Sequence, residues 1–67
     1  MRMTATGRLR FQREVDAFLA ESGLSASRFS REATGDPGFV RHLRMGIPQI
    51  GPVRIARARA FMREWRQ

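Results

Sequence analysis

A chain of 67 residues has room for one domain and one small core, and without cysteine it builds neither a disulfide framework nor a thiolate metal site. A hydrophobic share of 42% is that of a globular chain rather than a disordered one, and no apolar run approaches the roughly 20 residues that span a bilayer. All thirteen basic residues are arginine, against six acids, for a formal charge of +7, which points to polyanions: nucleic acid first, an anionic membrane surface second.

The stretch "MRMTATGRLR" lacks the apolar core, about 7–15 residues long, of a secretory signal, so a cytoplasmic location is expected. Arg2, Arg8, Arg10 and Arg13 are candidates for an arm or a helix edge beside a polyanion's backbone. From about Arg8 to Ser22, Phe11, Val15, Phe18 and Leu19 recur at helical spacing and share one face. Gly23 suits a left-handed helix end, with Leu24 folding back onto Leu19. Ser25 is a good N-cap for a second helix over about Ala26 to Thr34, whose inward face is Ala26, Phe29 and Ala33. No stretch alternates with period two, so no strands are expected.

The segment "GDPGFVRHLRMG" has hard boundaries. Asp36 reads as an N-cap, Pro37 as the first helical residue, and Gly46 as the stop after Met45, giving a third helix of about three turns. On a helical wheel Phe39, Val40 and Leu43 fall on one side. Gly38, Arg41, His42 and Met45 fall opposite, with Arg44 on a flank. After the loop "IPQIGP", Gly51 and Pro52 start a fourth helix over about 52–66. Ile55, Ala58, Phe61, Met62 and Trp65 form its apolar stripe, and Val53, Ala56 and Ala60 a smaller patch on the other side. The fold class expected is therefore all-α: one compact four-helix domain over 1–67. The charge is uneven, with seven arginines and two acids in residues 36–67 against six and four in residues 1–35.

Leu24 to Gly46, "LSASRFSREATGDPGFVRHLRMG", resembles the helix-turn-helix unit of the lambda-repressor and Cro-like family. Leu24, Ser25, Phe29, Val40, Leu43 and Gly46 match that family's pattern in register, without a gap. Two positions depart: Ser30 stands where the family has a small alanine, and Thr34 where it has the turn glycine, with Gly35 one place later. The resemblance implies a DNA-binding domain whose 36–45 helix enters the major groove. It makes Arg41, His42, Met45 and Gly38 the candidates for base contact. Arg41 has the fork that pairs with guanine, and Met45 can touch a thymine methyl. Ser25, Ser27, Arg28 and Arg44 are the phosphate candidates.

The implied activity is that of a sequence-specific repressor, binding a near-palindromic operator in double-stranded DNA as a homodimer. Size and resemblance place such a protein as an autoregulator of a small phage or mobile-element operon, including anti-CRISPR operons. The expected dimer surface is the last helix, through Phe61 and Trp65 or through Val53, Ala56 and Ala60; the rival is that Phe61 and Trp65 pack back onto Phe11 and Phe18. A single histidine without a clear acid partner gives no support to catalysis, and no metal, cofactor or small-molecule ligand is expected. The competing reading is a helical protein-partner module, such as an antitoxin or scaffold piece, using its basic surface on an acidic partner. Apolar residues on two sides of the last helix argue against a peptide lying on a membrane.

Overall fold

The computed structural model describes residues 5–46 and 50–65. It contains four helices, α1 (Ala5–Ser22), α2 (Ala26–Thr34), α3 (Phe39–Arg44) and α4 (Pro52–Glu64), and no strand among the described residues. The all-α, four-helix expectation holds. Arg2, Pro48 in the loop "IPQIGP", and Arg66 at the expected end of the fourth helix lie outside the described residues.

The local signals act as read at most ends. Gly23 is left-handed, and its amide donates to the Leu19 carbonyl at 3.0 Å. The Ser25 hydroxyl accepts from the Arg28 amide at 3.1 Å, satisfying one of the free donors at the start of α2. Gly35 closes α2 with φ +80°, a conformation that costs a side-chain-bearing residue about 1–2 kcal/mol. Gly51 and Pro52 open α4 as N-cap and first residue. One start is early: α1 begins at Ala5, ahead of the expected Arg8.

The third helix is corrected. It spans six residues rather than three turns, and its N-cap is Gly38, not Asp36. Asp36 instead closes a turn: its Oδ1 accepts from the Gly38 amide at 3.0 Å, and its carbonyl accepts from the Phe39 amide at 3.0 Å. An Asp-Pro-Gly run serves equally well as a helix start or as such a side-chain-closed turn. Here the turn prevails, and Pro37 lies in it.

Phe11 and Val15 of α1, Phe29 of α2, Phe39, Val40 and Leu43 of α3, and Ala58 of α4 form the buried core. Phe11 meets Phe39 edge-on at 6.2 Å. Phe18, Phe29, Phe61 and Trp65 form a second aromatic group, with Phe29 and Phe61 5.6 Å apart and Phe18 and Trp65 6.1 Å apart. Phe61 and Trp65 are thus half-buried against the chain's own aromatic residues. Phe18 receives them both, while Phe11 is taken by Phe39.

Ser30 joins α2 to α3. Fully buried, its hydroxyl donates to the Ala26 carbonyl at 2.7 Å and accepts from the Val40 amide at 3.0 Å. Gly38 has no side chain to cap α3, so Ser30, ten positions before Val40, supplies the acceptor for the Val40 amide. Thr34 continues the stitch, donating to the Ser30 carbonyl at 2.7 Å and accepting from the Asp36 amide at 3.2 Å. Ser30→Ala is expected to cost about 1–3 kcal/mol, because it strips a buried amide of its acceptor. At about 4–8 °C per kcal/mol for a domain of this size, a thermal melt reads the loss directly. An unchanged melting temperature would mean that the Val40 amide finds another partner.

Candidate nucleic-acid interface

The side of α3 turned from the core carries the candidate residues. Phe39, Val40 and Leu43 point inward, which leaves Arg41 and Met45 exposed and His42 half-buried. Met45 is 68% exposed, as are the apolar Leu9 and Val53 elsewhere on the surface, at 49% and 63%. Arg41, His42 and Gly38 are brought together: both side chains fold back over the Gly38 backbone.

Asp36 organises the N-terminal end of this face. Its Oδ2 lies 3.7 Å from His42 Nδ1 and 3.4 Å from Arg54 Nη1, so α4 contributes a guanidinium beside the start of α3. Arg57, three residues further on, shares that side of α4 and is exposed. The C-terminal end of α3 has cations too. Arg44 Nη2 meets Asp16 Oδ1 of α1 at 2.7 Å. The Arg8 guanidinium lies beside Gly46, where a Cβ would come within 3.5 Å of it. Cationic groups therefore stand at both ends of one short helix that has one buried and one outward side. Coulomb attraction to an extended polyanion laid across that face adds over all of them.

The remaining candidates sit as follows. Ser25 and Ser27 are exposed at the start of α2, with the Ser25 hydroxyl engaged in its cap. Arg28 is exposed and ion-paired with Glu32 at 2.6 Å. Val53 is 63% exposed and Ala56 is exposed, while Ala60 is half-buried. Arg59 is turned toward α1, 3.4 Å from Glu14 and 5.0 Å from the centre of the Phe11 ring.

Sequence reasoning did not single out Arg54 and Arg57 for the interface, nor the pairing of Arg44 with Asp16. Arg54 and Asp36 are brought together by the packing of α4, which no local pattern encodes. No group of three or more His, Asp or Glu residues placed to hold a metal occurs among the described residues. None of the described helices is long and apolar enough to cross a membrane. In comparisons with known proteins, no family model matches the chain, and no curated protein or solved structure does.

Proposed function

We propose that this chain is a sequence-specific binder of double-stranded DNA that acts as a transcriptional repressor, with α3 as the helix that enters the major groove. The observation that carries the reading is the outward side of α3 and its C-cap, bearing Arg41, His42 and, at the cap, Met45, with arginines at both ends. The in-register resemblance of residues 24–46 to the lambda-repressor and Cro-like unit, and the net charge of +7, support it independently. A helix of six residues reaches few base pairs, so a homodimer on a near-palindromic operator is part of the proposal. With Phe61 and Trp65 engaged within the chain, the surface proposed for the dimer is Val53, Ala56 and Ala60. Repression then follows from occluding a promoter. An autoregulator of a small phage or mobile-element operon, including an anti-CRISPR operon, is the setting proposed from size and resemblance.

Arg41 carries the test. Arg41→Ala is expected to cost about 1–3 kcal/mol at the preferred site and to relax the preference for one base pair. Its affinity for unrelated duplex should fall far less, because one of many charges is removed. Fluorescence anisotropy on both duplexes measures this. Equal affinity and preference in the variant would remove α3 from the groove. Binding to every duplex alike by the unaltered protein would favour the protein-partner module.

A further inference from the structure

Gly38 has φ −93° and ψ 6°, a backbone conformation open to residues with side chains. The backbone therefore does not call for glycine here; the space above it does. A Cβ at position 38 would lie 3.0 Å from His42 Cε1, 3.2 Å from His42 Nε2 and 3.4 Å from Arg41 Nη2. The other edge of the imidazole faces Asp36, with Nδ1 3.7 Å from Oδ2.

We infer that Gly38 is a specificity-determining position: its missing side chain is the seat in which the Arg41 guanidinium and the His42 imidazole lie together over the first turn of α3. The inference rests on the DNA-binding reading above. The groups that a new Cβ would meet are the far ends of two rotatable side chains at the surface, not backbone. The crowding is relieved by rotating them, so the fold stays and the aim changes. Hydrogen bonds to base edges demand defined distance and direction, and discrimination between bases is lost when donors are re-aimed. Attraction to the phosphate backbone depends on the number of charges, which Gly38→Ala leaves untouched.

Gly38→Ala is therefore expected to keep the melting temperature within a few degrees and to shift the His42 imidazole proton resonances. Against a randomised duplex library it should lose discrimination on the order of tenfold, at the positions that Arg41→Ala and His42→Ala also affect. Binding to unrelated duplex should be unchanged. Placed in a chain already carrying Arg41→Ala and His42→Ala, the Gly38 substitution should add nothing, as a coupled set requires. A Gly38→Ala protein that selects the same site with the same discrimination overturns the inference, and so does an effect that persists in the triple variant. If the unaltered protein selects no sequence at all, the DNA-binding reading itself fails and this inference falls with it. If it selects one and Gly38→Ala preserves it, only the seat is wrong.

Discussion

Phe29→Ala is expected to destabilise the fold by about 3–5 kcal/mol, the cost of removing a large buried aromatic side chain and leaving its space. Phe29 is fully buried, on α2, where it meets residues of the other three helices. Its ring contacts Phe18 of α1 at 5.4 Å and Phe61 of α4 at 5.6 Å, and it shares the core with Phe39, Val40 and Leu43 of α3. A domain of this length has a total stability of about 3–10 kcal/mol. The variant should therefore lose a large share of its stability, and at the lower end of that range it should be largely unfolded. Urea titration followed by circular dichroism gives the answer, with Leu9→Ala as the control, since Leu9 is 49% exposed and its truncation should cost little. A Phe29→Ala midpoint close to that control would mean that α2 is not the centre of the core.

The second large effect is the response to salt. If Arg8, Arg28, Arg44, Arg54 and Arg57 each neutralise one phosphate, the logarithm of the binding constant falls with the logarithm of salt concentration at a slope of about −4.5. That slope corresponds to a loss of about 500-fold in affinity between 50 and 200 mM salt. Three of these arginines already face carboxylates: Arg28 with Glu32, Arg44 with Asp16, and Arg54 with Asp36. Each acid competes with phosphate for its arginine, so the slope for one chain is expected to be shallower, about −3 to −4. For the same reason Arg44→Ala should flatten the slope by less than one unit while weakening all sequences alike. Titrations of a labelled duplex at several salt concentrations test both expectations. A slope near zero would contradict an electrostatic interface, and a full unit lost with Arg44→Ala would show that the Asp16 pair opens on binding.

Sequence reading succeeds in this chain where a signal is local. Gly23 and Gly46 stop helices because their backbone is left-handed, and Ser25 caps because its hydroxyl reaches an amide three residues ahead. The inward set Phe39, Val40 and Leu43 follows from helical spacing alone. Asp36-Pro37-Gly38 misleads because two local solutions suit it, and the choice depends on Ser30, which supplies the acceptor for the Val40 amide from another helix. The partners of Asp36 and Arg44 were hidden for the same reason: Asp16 and Arg44 are 28 residues apart in sequence and meet only through packing. The outward set Arg41, His42 and Met45 was legible as a face. That His42 and Arg41 fold back together over Gly38 was not, because it depends on side-chain rotation.

The most direct test is selection of bound duplexes from a randomised library at physiological salt, run with the unaltered protein and with Arg41→Ala. The account predicts enrichment of a near-palindromic site whose half-sites lie about 10 base pairs apart, centre to centre, with the preference relaxed at one position per half-site in the variant. A library that emerges without enrichment, or a site that Arg41→Ala leaves unchanged, would contradict it.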